Sequence, residues 1–167
     1  MEKIKVGGLM QSDGRALLRV LSATNLMDAP GIILAALAGR GINVELLVEA
    51  VDLEDAANFS LVVAQKDLEL ALVALEGLKA EVEARGITYL PDVSVLSIFG
   101  PHLREKPKIP GIMFTSLASA GVAVLAISTS ISSISCVVEG RQLGQALEVL
   151  CERFDLPYKT LQRPKNW

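Results

Sequence analysis

The sequence predicts an α+β protein built from two βαββαβ units in tandem, with antiparallel sheets and helices on one face. Three observations carry that prediction: an internal repeat, the periodicity of apolar residues within each copy, and an unclaimed strand at the start of the chain. The repeat comes first, because missing one misassigns the fold. Residues 29–44 (APGIILAALAGRGINV) lie over residues 109–124 (IPGIMFTSLASAGVAV) at an offset of 80 without a gap, and seven positions coincide. Phe59–Val63 then matches Ile134–Val138 at an offset of 75, and Leu70–Leu72 matches Gln145–Leu147 at that same offset. The first copy therefore carries five extra residues in its hairpin.

Each copy reads as strand, helix, hairpin, helix. Arg15–Ala23 and Val93–Phe99 alternate as strands do. Pro30-Gly31 and Pro110-Gly111 open a short helix, where proline suits the first turn, and Gly41 and Gly121 close it. Residues 43–51 and 122–128 read as near-continuous apolar strands, with residues 58–64 and 133–139 as their hairpin partners. Leu68, Ala71, Leu72, Leu75 and Leu78 make a helical stripe, and Leu143, Ala146, Leu147 and Leu150 repeat it.

A four-stranded ferredoxin-like sheet needs one more strand per copy. The first copy closes with Ile87–Leu90. The second reaches Phe154–Pro157 with no good strand after it, whereas Lys3–Met10 at the chain start is unclaimed. The opening strand is therefore expected to complete the second copy, so that the first unit (13–90) is inserted within the second (1–12 and 91–157). The tail, 158–167, is expected to be mobile or packed on a neighbour.

Composition limits function. The net charge of −3 and low aromatic content disfavour nucleic acid, which needs clustered cations and stacking platforms. A hydrophobic share of 51% and mean hydropathy of +0.43 point to apolar surface covered by another copy, hence a homodimer. The start, MEKIKVGG, lacks a secretory h-region. The uncharged stretch 109–138 is broken by Pro110-Gly111 and Gly121 and ends among serines, so no membrane span is expected. Cys136 and Cys151 lack metal or redox spacing and read as reduced cytoplasmic thiols. His102 lies in a basic loop, Gly100–Lys108, without a triad partner. Asp52, Glu54 and Asp55 read as a solvent-facing hairpin, with calcium as an outside alternative. No catalytic residues, cofactor or metal are expected.

Lys5-Val-Gly-Gly-Leu9, Arg19-Val20, the Pro-Gly helix, Gly41-Ile-Asn-Val-Glu45, Val93–Gly100 and Ile127-Ser-Thr-Ser130, followed by Ala146-Leu147 and Phe154-Asp155-Leu156, resemble the tandem ACT domains of aspartate kinase regulatory regions. The resemblance spans about Lys3 to Leu156. It implies dimerisation through ACT units and allosteric binding of an amino acid such as lysine or threonine, in a chain without the kinase domain. It also implies a first unit inserted within the second. One departure is that the family usually places Pro-Gly a helical turn earlier, where Met27-Asp28 and Pro107-Lys108 stand here.

An amino acid's carboxylate suits the open amides at a helix start. In the first copy these belong to the turn Asn25–Gly31, with the N–H groups of Asp28, Gly31 and Ile32 as candidates. The resemblance adds Ile42 and Asn43 on the following strand, and Glu49 for the ammonium or a basic side chain. Each residue also has a plain reading: Pro-Gly and Asp28 as helix capping, Asn43 bonding its own loop, Glu49 solvated on a strand. In the second copy Ala123 replaces Asn43 and Leu125 replaces Glu45, which makes a weaker site, and Ser128, Thr129 and Ser130 read chiefly as satisfying strand ends. The leading expectation is an amino-acid-binding regulatory protein. The alternative is a ligand-free interaction module serving as regulatory subunit of a separate kinase or other biosynthetic enzyme.

Overall fold

The computed structural model describes residues 2–101, 103–157 and 161–162. In order they form β1 (Ile4–Lys5), β2 (Gly8–Ala23), α1 (Ala29–Ala38), β3 (Leu46–Val51), β4 (Ala57–Ala64), α2 (Leu68–Leu78) and β5 (Gly86–Phe99). There follow α3 (Lys108–Ser119), β6 (Ala126–Thr129), β7 (Ser133–Glu139), α4 (Leu143–Arg153), β8 (Phe154–Asp155) and β9 (Leu161–Gln162). The chain divides into two compact units: residues 15–91, and the residues up to 14 together with those from 92 to 165. Among the described residues no helix is long and apolar enough to cross a membrane.

In the 15–91 unit the strand order is β3-β4-β2-β5, and β4 runs antiparallel to both β2 and β3. Alternate residues supply the core, as strand geometry requires. Leu18 and Val20 of β2 and Phe59, Leu61 and Val63 of β4 pack with Ile33 and Leu37 of α1 and Ala71, Leu75 and Leu78 of α2. The helix α1 ends in a Schellman turn: the Ile42 N–H reaches back to Leu37 C=O (3.1 Å) and the Gly41 N–H to Ala38 C=O (2.9 Å). Gly41 takes φ +69°, where a Cβ would be strained.

The other unit repeats this geometry. Its order is β2-β5-β7-β6, with β7 antiparallel to both β5 and β6. Val122 N–H bonds Leu117 C=O (3.0 Å), Gly121 N–H bonds Ala118 C=O (2.9 Å), and Gly121 has φ +72°. The helices α2 and α4 begin at N-caps of nearly the same dihedrals, Asp67 at −95°, −1° and Gln142 at −96°, −2°. Leu96, Ile98, Met113, Leu117, Ile134, Cys136, Ala146, Leu150 and Phe154 form the core here. The chain start joins it. Leu9 is buried within this cluster, Ile4 and Val6 pack against it, and β1 pairs in parallel with β8.

Several boundaries differ from the periodicity. Residues 86–99 form one strand rather than two, because the chain passes Pro91-Asp92 by placing Asp92 at φ +53° instead of breaking. The expected strands 3–10 and 15–23 likewise merge from Gly8 onward, with Gly14 at φ +64° inside the run. The strand of the first hairpin starts at Leu46 and not at residue 43, since the Schellman turn uses the residues before it. Its counterpart starts at Ala126 for the same reason. Within the tail Leu161–Gln162 form a short strand in parallel with Met10–Gln11, which the sequence does not signal. The other tail residues and His102 lie outside the described residues.

Candidate ligand site

Topology decides where the seven candidate residues fall. Because β4 is antiparallel to both β2 and β3, those two strands run the same way and α1 returns between them. Asn25, Asp28 and Gly31 therefore sit at the start of α1, and Ile42 and Asn43 follow its end. A helix of ten residues rises about 15 Å. Glu49, exposed toward the far end of edge strand β3 and opposite Phe59, returns to the level of the helix start, displaced sideways by the width of the intervening strand. Within one chain the candidates thus form two groups at opposite ends of the unit.

At the helix start, the Asn25 C=O takes the Ala29 N–H (3.0 Å), and the Asn25 side chain donates to Glu81 C=O (3.4 Å). Asp28 occupies the N-cap position, as its plain reading has it, but without a side-chain cap bond. Its C=O accepts the Ile32 N–H at 3.0 Å, which removes Ile32 from the amides available to a ligand. The amides of Asp28 and Gly31 find no acceptor among the described residues, and the space where a Gly31 side chain would project is open. Two of the three nominated amides remain.

At the helix end the Ile42 N–H is likewise engaged within the protein. The Ile42 side chain is buried in the core and its N–H is spent on the Schellman bond, so of its main-chain groups the C=O is the one left for a ligand contact. Asn43 is exposed, and among the described residues no hydrogen bond ties its side chain to the loop. The second unit differs at this point. There Gln142 accepts from the Ala123 N–H (3.2 Å) and donates to Gly121 C=O (2.9 Å), and Gln145 donates to Ala120 C=O (2.5 Å). At the 75-residue offset, Gln142 and Gln145 correspond to Asp67 and Leu70. The second loop is tied down by these two glutamines, whereas Asp67 and Leu70 stand at the matching positions of the first.

Sequence reasoning passed over Arg15. It is 1% exposed, and its Nε donates to Glu45 Oε2 at 2.5 Å, two residues from Asn43. A buried guanidinium needs such a partner, and losing one member of a buried pair typically costs about 3–5 kcal/mol. The pair holds the entry of β3 and thereby the position of Asn43. The available signal was the charge at Arg15 immediately before the apolar run Ala16-Leu17-Leu18.

The second unit has a cavity of about 320 Å³ beside the start of α3, lined by Leu103, Pro107, Pro110, Thr129, Ser130 and Ile134. Ser130 Oγ accepts from the amides of Ser132 (3.4 Å) and Ser133 (3.1 Å) and bonds Ser133 Oγ (2.9 Å). That hydroxyl closes the β6–β7 turn. In the first hairpin the Asp52 carboxylate does the equivalent work, accepting from Glu54 N–H (2.9 Å), Ala56 N–H (3.1 Å) and Asn58 Nδ2 (3.0 Å). Chiefly the Asn58 bond, then the two amides, hold its pKa below the ordinary 3.8. Among the described residues no group of His, Cys, Asp or Glu side chains is arranged to hold a metal ion.

Comparison with known proteins agrees with this architecture. Residues 96–154 match the ACT domain family model. The aspartokinase of Thermus thermophilus is 34% identical over 134 residues, 77% of this chain and 33% of that protein. That of Bacillus sp. strain MGA3 is 28% identical over 155 residues, 93% of this chain and 38% of that protein. The chain thus spans little more than a third of the length of the curated relatives it matches. The ligand-free regulatory subunit of aspartate kinase from Thermus thermophilus superposes with a TM-score of 0.81 at 27% identity, covering 90% of this chain and 99% of that one. The repeated strand–helix–hairpin–helix plan and the match at residues 96–154 make this chain similar to ACT domains. In particular, the chain is similar to the regulatory subunit of aspartate kinase.

Proposed function

We propose that this chain senses a small amino acid and passes the signal to a separate catalytic chain, itself performing no catalysis. The observation that supports this reading is the likeness, at a TM-score of 0.81 over 90% of this chain, to a solved aspartate kinase regulatory subunit, together with the open amides at the start of α1. In this reading the protein works in the cytoplasm, with the 15–91 unit as one ACT copy set into the other.

The ligand carboxylate would meet the amides of Asp28 and Gly31 at the positive end of α1. Asn43 and Glu49 would supply side-chain contacts, the carboxylate of Glu49 taking an ammonium. Since the two groups are separated by the length of α1, one ligand would engage both only if a second copy brings its own helix end to the first copy's helix start. A homodimer is the simplest arrangement that does so. Ligand would then favour one dimer geometry by its differential affinity.

Calorimetry of the chain against the amino acids, beginning with lysine, threonine, methionine and the branched-chain set, tests this. Binding is expected for at least one. Asn43→Ala should weaken it about tenfold while leaving the melting temperature unchanged, since the side chain is exposed and loses roughly one hydrogen bond. A second reading, a ligand-free assembly module, is favoured by the engagement of the Ile32 and Ile42 N–H groups within the protein itself. Absence of heat and of thermal shift with every amino acid at millimolar concentration would establish it in place of the first.

A further inference from the structure

We propose a second small-molecule site, independent of the amino-acid reading: the cavity where the chain start meets the loop after β5 takes a small organic anion with an apolar body. The cavity measures about 260 Å³ and is lined by Lys5, Val6, Gly7, Gly100, Pro101, Leu103 and Lys106. At roughly 30 Å³ per water it holds the volume of about nine waters, suited to a molecule of roughly ten non-hydrogen atoms.

Bare backbone shapes one wall. The Gly7 N–H bonds Phe99 C=O at 2.8 Å. A Cβ on Gly7 would stand 2.7 Å from that oxygen and 2.8 Å from the Gly100 Cα, and one on Gly100 would stand 2.8 Å from the Gly7 nitrogen. Neither glycine can carry a side chain without displacing the other strand, so this wall stays backbone. Val6, Pro101 and the buried Leu103 make the rest of it apolar.

Charge decides the ligand class. The Lys106 ammonium donates one hydrogen bond to the Lys5 C=O (2.9 Å), which anchors it beside the cavity and leaves two of its three hydrogens for an acceptor. Lys5 is the other charged residue of the lining among the described residues, and no carboxylate is among the described lining residues. An amino acid would bring its ammonium against two cations with nothing to neutralise it. A carboxylate on a short aliphatic body has no such penalty and uses the apolar wall, which inorganic phosphate does not.

The test follows the amides of Gly7 and Gly100 in ¹H–¹⁵N spectra of the whole chain during titration with 4-methyl-2-oxopentanoate, leucine or inorganic phosphate. The first two share a carbon skeleton and differ in the ammonium. Saturable shifts of both amides with the oxo acid are expected, and none with leucine or phosphate. Lys5→Gln combined with Lys106→Gln should weaken binding about tenfold or more, with spectral dispersion unchanged because both side chains are exposed. Should the double variant fail to fold, Lys106→Gln alone and the loss of affinity with added salt read the same charge. The proposal is overturned by unmoved Gly7 and Gly100 amides, by leucine or phosphate acting as strongly as the oxo acid, or by variants that bind undiminished.

Discussion

At the scale of single residues, environment and not identity separates groups of the same type. Cys136 is fully buried, and burial pushes its thiol up to about 12, whereas Cys151 is partly exposed. Thiolate is the reactive form, so iodoacetamide at pH 8 should label Cys151 alone in the native protein and reach Cys136 only after unfolding. Mass spectrometry of the labelled chain checks this. Asp52 offers the corresponding case for a carboxylate. Its folded pKa is depressed by Asn58 and the hairpin amides, so its contribution is full above pH 4 and fades as pH falls through the depressed value. The Glu54 and Ala56 amide shifts should titrate with a midpoint below 3.8, and a midpoint at or above it would refute the hydrogen-bond account.

At the scale of elements, the two Schellman turns are the repeat's clearest physical signature. Gly41 and Gly121 were readable as helix stops from sequence, since both follow the last apolar position of a helical stripe. Their positive φ makes each costly to replace: Gly41→Ala and Gly121→Ala should each destabilise by about 1 kcal/mol, measured by urea unfolding. Equal effects in the two variants would confirm that the turns do the same work. What the pattern could not foresee was the lacing of the second loop by Gln142 and Gln145, because those side chains come from a different helix. Arg15 and Glu45 stand thirty residues apart, and nothing local marks them as a pair.

At the scale of the whole chain, the opening residues belong physically with the unit that begins at residue 92. Ile4, Val6 and Leu9 pack into that core, and β1 pairs with β8 across nearly the full length of the sequence. Removing residues 1–7 should therefore strip protection from amides of β5, β7 and β8. Hydrogen exchange would show it as faster exchange at Leu96, Ile98 and Cys136. Unchanged protection there would mean that the start contributes only edge contacts. The candidate ligand residues illustrate the opposite limit: their identities were legible, yet their division into two ends of α1 followed only from strand directions.

The sequence alone determined the duplication, the helix stops, the apolar faces and the ACT resemblance, because each rests on spacing along the chain or on residue type. Tertiary structure alone decided which amides stay open, which loop is laced, where Arg15 finds its counter-charge and which cavity the chain start encloses. Those depend on groups far apart in sequence meeting in space, and hydrogen-bonding capacity or charge is spent only once they have met.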